Sequence, residues 1–190
     1  LYDLQDNKKW PEAIAVYEHL LKTEPLDVKG PDNLKLIILI HDEMGAIDKA
    51  AMGRKRMVDL FGTSSAWWAA HAKSPELRAK LAKSLEESLR QRALYHHERA
   101  QALKVRGVTE EDEAVLAESV DQYQKAAEAY REYLATYPDE PASYEMTFFY
   151  AEALWYAGQH VAAAPVYQAV ATHPHHKAYR ETAAWSMIKA

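Results

Sequence analysis

The chain has 190 residues, 48% of them apolar and 27% charged, with 23 basic against 28 acidic side chains and a net charge of −5. A chain of this size buries about 70% of its unfolded surface, enough for a continuous core. The charge balance leaves no basic surplus that would ask for nucleic acid or anionic lipid. The longest aliphatic run, residues 36–40, is far short of the ~20 apolar residues that span a bilayer. Cysteine is absent, so disulfides and thiolate chemistry are excluded.

Alanine, the best helix former, supplies 33 residues, glycine supplies six, and no Asn-Gly or Asp-Gly pair marks a hairpin. The expectation is an all-α fold. Near the start, Trp10, Ala13, Tyr17 and Pro25 are separated by three, four and eight residues. That spacing puts two rings and a small residue on one helix face and ends the helix at the proline. Ile47 and Ala50 begin a degraded copy 37 residues later, with Arg54 in place of the second ring and Gly62 in place of the proline. Gly45 precedes that copy by two residues, where a tight turn between helices needs positive φ.

Residues 62–74 read as a loop carrying Trp67 and Trp68. Ser74, Pro75 and Glu76 then form a helix start, with a capping serine, a first-turn proline and an acid at the positive end of the dipole. Leu77, Leu81, Leu85 and Leu89 run four apart, and no breaker appears before Gly107. A rod of about 48 Å is predicted at ~1.5 Å per residue. A second start is predicted at Thr109, with Glu110, Glu111 and Asp112 in its first turn. It continues into an apolar seam of Val120, Tyr123, Ala127, Tyr130, Leu134 and Tyr137. The two helices are expected to form a long antiparallel hairpin.

Within the second of them, Tyr123, Ala126, Tyr130 and Pro138 repeat the first motif's separations unchanged. His160, Ala163 and Tyr167 repeat them again, with Pro174 one residue early and Gly158 two residues ahead. The copies begin 37, 76 and 37 residues apart. Residues 177–190 read as the opening helix of a further unit. The chain reads as a fragment of a longer array, with Leu1 at one open end and Trp185, Met187 and Ile188 at the other.

The residues Trp10/Ala13/Tyr17/Pro25, Gly45/Ala50, Tyr123/Ala126/Tyr130/Pro138 and Gly158/Ala163/Tyr167/Pro174 together resemble the tetratricopeptide repeat. The resemblance covers a little over half of the chain. It implies a right-handed α-solenoid of helix-turn-helix repeats, here interrupted by the long hairpin. The expected organisation is repeats over 1–62, loop and hairpin over 63–138, and a repeat plus a further first helix over 139–190. A narrower similarity links Tyr-x-x-Tyr-Leu-x-x-Tyr-Pro (Tyr130 to Pro138), Phe149 to Leu154, and Tyr179-Arg180-Glu181 to large bacterial envelope proteins of this type. Some of those belong to gliding-motility or trans-envelope assemblies. It implies a periplasmic or outer-membrane-associated place, with the cytoplasm left open.

Signs of catalysis are few. Zinc needs three or four ligands converging at ~2.0–2.3 Å. The cluster His173, His175 and His176 lies in a turn, and His96 and His97 point about 100° apart on a helix. There is no phosphate-binding glycine loop and no nucleophile elbow, and the acidic run 110–113 lacks the alternating ligands of a calcium loop. Neither metal nor cofactor is expected. A histidine-based metal hydrolase is the weakest of three readings, behind a protein-binding scaffold and a scaffold that stacks through its open ends.

By resemblance, the first helix of each repeat lines a groove that holds a partner protein. That points to Glu145, Phe148, Glu152, Trp155 and Tyr156 as groove residues. The matching strip of the degraded copy is Lys35, Leu39, Asp42 and Glu43, mixed to acidic and unsuited to clamping an acidic tail. Trp67 and Trp68 either cap the base of the hairpin or anchor a partner from the loop.

Overall fold

The structure, a computed structural model, describes residues 9–189; the expected open end at Leu1 lies outside them. The described residues form nine α-helices and no strand. They are α1 (Trp10–Thr23), α2 (Gly30–Glu43), α3 (Ile47–Phe61), α4 (Ala66–Ala70), α5 (Pro75–Glu110), α6 (Glu113–Thr136), α7 (Ser143–Tyr156), α8 (His160–Ala171) and α9 (Arg180–Lys189). By packing, the chain divides into two compact units, Leu1–Ser88 and Leu89–Ala190, with the division inside α5.

In the first unit, α1, α2 and α3 pack in succession. The motif alanines Ala13 and Ala50 are 0% exposed, and Tyr17 is buried against them. Each such buried ring contributes about 1.5–3 kcal/mol. Leu34, Ile37, Met57 and Phe61 complete the core, joined by Leu81 and Leu85 from the first turns of α5. Arg54, which stands where the other copies carry a ring, instead pairs with Asp42 at 2.7 Å. Arg56 forks onto Glu18 with bonds of 2.5 and 2.8 Å, tying α3 to α1.

The segment expected to be a plain loop, 62–74, contains the five-residue helix α4. Ser65 caps it by accepting the Trp68 amide, a local signal the loop reading passed over. Trp67 is 1% exposed and sits edge-on to Phe61, with its indole N–H donating to the Asp27 carbonyl at 2.7 Å. It is a core residue and is not available as a loop anchor. Trp68 is half-buried beneath the Arg78 guanidinium, 4.3 Å from the ring centre.

The second unit opens on the rest of α5, which runs antiparallel to α6. Arg92 pairs with Glu132, His97 with Tyr130, and the Ser119 hydroxyl donates to the Ala100 carbonyl at 2.9 Å. The helix does not break at Gly107. A Cβ there would lie 2.8 Å from Leu116 Cγ and 3.0 Å from its backbone nitrogen, so the glycine serves the close approach of α6. α5 ends at Glu110, and the turn uses Glu111 at φ 54. The Asp112 N–H reaches back to the Gly107 carbonyl at 2.9 Å.

Asp112, not Thr109, caps α6, accepting the amides of Ala114 and Val115 at 2.9 and 3.1 Å. The expected seam is also adjusted. Val120 is 40% exposed, while Tyr133, absent from the seam, is 0% exposed.

From α6 onward the second unit repeats the first at a constant offset of 113 residues: Gly30 to Ser143, Glu43 to Tyr156, Gly45 to Gly158 and Ile47 to His160. The turns match in detail. Gly45 and Gly158 have φ of 66° and 75°, and the amides of Ala46 and Gln159 bond back five residues at 2.8 and 2.9 Å. That is the six-to-one closure with which helices end on a left-handed residue. Glu24 and Tyr137, each before a proline, end α1 and α6 with the same dihedrals, φ/ψ −129/61 and −130/62.

Candidate functional site

The expected groove residues all lie on α7, which packs between α6 and α8. Its core side buries Met146, Ala151, Ala153 and Leu154. The structure sorts the five candidates into three places.

Glu145 and Phe148 meet Tyr179, just before α9. The two rings stack at 4.4 Å with planes 7° apart, and the Tyr179 phenol donates to Glu145 at 2.6 Å. That hydrogen bond, with burial adding to it, pushes the Tyr179 phenol up to about 12. Phe148 is itself buried, so this part of the face is already covered by the chain's own tyrosine.

Trp155 turns toward the start of α8, its ring 4.3 Å from His160. It belongs to the α7–α8 contact and is set apart from the other four.

Glu152 and Tyr156 border an open cleft of about 550 Å³. Tyr156 stacks on Tyr123 at 5.0 Å, and the Lys104 ammonium lies 3.6 Å from the centre of the Tyr156 ring. Val105 and Val108, 67% and 63% exposed, form the opposite wall on α5. Glu152 also accepts the Tyr167 hydroxyl from α8. Burial, reinforced by Tyr156 and Glu152, raises the Tyr123 phenol to about 12. Burial raises Tyr156 and Tyr167 as well, the latter further through Glu152. These phenols keep their protons at neutral pH and act as hydrogen-bond donors and apolar faces.

Sequence reasoning missed Lys104, Val105 and Val108; Tyr123, expected in the core, is 2% exposed there and borders the cleft only from below the Tyr156 ring. The signal was present in Val105 and Val108, two large apolar residues three apart near a helix end, outside the leucine spacing.

The first unit's strip at the same register has different chemistry. Lys35, Asp42 and Glu43 are exposed, Leu39 is 42% exposed, and Asp42 is held by Arg54.

The histidines do not converge. His96 bonds Gln122 at 2.9 Å and His97 bonds Tyr130 at 3.1 Å. His173 Nδ1 accepts the amides of His175 and His176 at 3.3 and 3.1 Å, so it organises its own turn. The Tyr144 ring stacks on His176 at 4.8 Å. No group of three potential ligands that could hold a metal ion occurs among the described residues, and none of their helices is long and apolar enough to cross a membrane. No protein-family model matches the chain, and no curated protein matches it.

Proposed function

We propose that this chain is a non-enzymatic scaffold of tetratricopeptide type that holds other proteins on a right-handed solenoid of helical repeats. The observation that carries the reading is the matched geometry of the two units. The same glycine turns, the same pre-proline helix ends and the bounds of the helix between them recur at one offset, with all four motif alanines, Ala13, Ala50, Ala126 and Ala163, 0% exposed. Such repetition builds surface rather than a reaction centre. The open cleft between α5, α6 and α7, apolar with polar edges, suits burial of a partner's side chains. The narrower sequence resemblance implies partners that are components of a bacterial envelope or gliding-motility assembly.

The test is crosslinking and recovery from a bacterial envelope fraction, comparing the chain with Tyr156→Ala and Trp155→Ala. A defined partner lost with Tyr156→Ala and kept with Trp155→Ala supports the reading. Recovery of no partner by the unaltered chain counts against it.

End-to-end self-association is a second reading, favoured by Trp185 and Ile188 on α9, 67% and 73% exposed. It predicts a mass that rises with concentration and returns to that of a monomer in Trp185→Glu/Ile188→Glu. A mass independent of concentration removes it.

A further inference from the structure

The cleft between α5, α6 and α7 carries a specific combination of groups. Its wall is aliphatic: Val105 and Val108 lie one helical turn apart on α5, each more than half exposed. Isolated exposed apolar residues are ordinary, but these two adjoin the partly exposed Tyr156 ring, which rests on the buried Tyr123, and together make a continuous apolar surface. Beside it, the half-buried Lys104 keeps its ammonium on the Tyr156 ring, and among the described residues no carboxylate forms an ion pair with it. Glu152 borders the same cleft without reaching Lys104, and its carboxylate already takes the Tyr167 hydroxyl. The cleft therefore has a cation without an ion-pair partner next to an uncovered apolar wall, with the Glu152 carboxylate on its border engaged by Tyr167. Gln101 and Thr109 add polar groups suited to main-chain amides.

We propose that this cleft seats a segment of another protein in which an aliphatic or aromatic side chain stands close to an acidic one. The apolar side chain packs against Val105 and Val108, and the carboxylate joins Lys104 above the Tyr156 ring. A carboxylate here completes a half-desolvated ion pair, whereas a basic segment meets Lys104 as a like charge. The inference rests on the scaffold reading and names the chemistry of the partner.

The test is selection of a random dodecapeptide library on the full chain, followed by fluorescence anisotropy with the selected peptides. The expected consensus pairs Leu, Ile, Phe or Trp with Asp or Glu within three positions. Val108→Asp weakens binding at least tenfold, and reselection on Lys104→Glu replaces the acidic residue with a basic one. Val108 is exposed and Lys104 half-buried, and circular dichroism matching the unaltered chain shows that the variants fold. A consensus without an acidic residue, or affinities indifferent to both variants, overturns the proposal. If binding is lost only with Phe148→Ala/Tyr179→Ala, the scaffold reading stands and this assignment fails. If no peptide is selected, both fail. Self-association abolished by Val108→Asp would assign the cleft to a second copy and overturn the proposal.

Discussion

His97 and Tyr130 share a 3.1 Å hydrogen bond inside the second unit, where His97 is 5% exposed and flanked by the rings of Tyr123 and Phe149. Burial lowers this histidine to about 4, so it is neutral in the folded chain at any ordinary pH. The unfolded chain takes up the proton first as pH falls. Stability is therefore complete above the ordinary value of 6.5 and is lost as pH falls from there through 4. The expected loss between pH 7 and pH 5 is about 2 kcal/mol, and His96, also lowered by burial, acts in the same direction. His97→Phe keeps a ring in place and removes the titration. The gap between urea midpoints at the two pH values should narrow in that variant, with the remainder left to His96; an unchanged pH dependence would place the effect elsewhere.

The left-handed residue ending α5 is a glutamate, Glu111 at φ 54. A side chain in that conformation costs roughly 1–2 kcal/mol, part of which a glycine returns as unfolded-state entropy. Glu111→Gly is expected to raise stability by about 1 kcal/mol, read as an increase in Tm. A lower Tm would show that the Glu111 side chain makes a contact worth more than the backbone strain.

Gly107 should respond in the opposite sense to an ordinary helical glycine. In an uncrowded helix interior, Gly→Ala gains about 1 kcal/mol. Here the added Cβ meets Leu116, including its backbone nitrogen at 3.0 Å, which cannot turn aside. Gly107→Ala is expected to destabilise by about 1–3 kcal/mol, measured by urea denaturation. A gain would mean that α6 shifts freely.

Gly45 and Gly158 have open space around them, so alanine at either meets a backbone penalty and no clash. Each substitution should cost about 1 kcal/mol, and the two costs should agree. A large difference between them would break the equivalence of the two turns.

What could be read in the sequence was whatever local chemistry enforces. The prolines, the paired turn glycines and the aromatic–alanine–aromatic spacing act within a few residues, and Gly45, Gly158, Pro25 and Pro138 take the roles their positions imply. Gly107 was misread because a glycine chosen for close packing carries the same letter as one chosen to break a helix. The end of α5 moved for a related reason: Thr109 looks like a cap, yet its hydroxyl donates to the Val105 carbonyl within the helix, at 2.8 Å. The cleft was only half legible. Glu152 and Tyr156 share a face of α7, which periodicity shows, but Lys104 and Tyr123 reach the same place from two other helices. Nothing in spacing announces that meeting. Glu145 and Phe148 share that face too, and only the fold shows Tyr179 already lying on them.

The two glycine turns also provide a matched pair of clocks. The amides of Ala46 and Gln159 close the same ring with almost the same length, 2.8 and 2.9 Å, one in each compact unit. With local geometry equal, any difference in their hydrogen-exchange protection belongs to the unit around them. Two resonances in one spectrum thus compare how readily each half of the chain opens, and show whether the halves open together or one at a time.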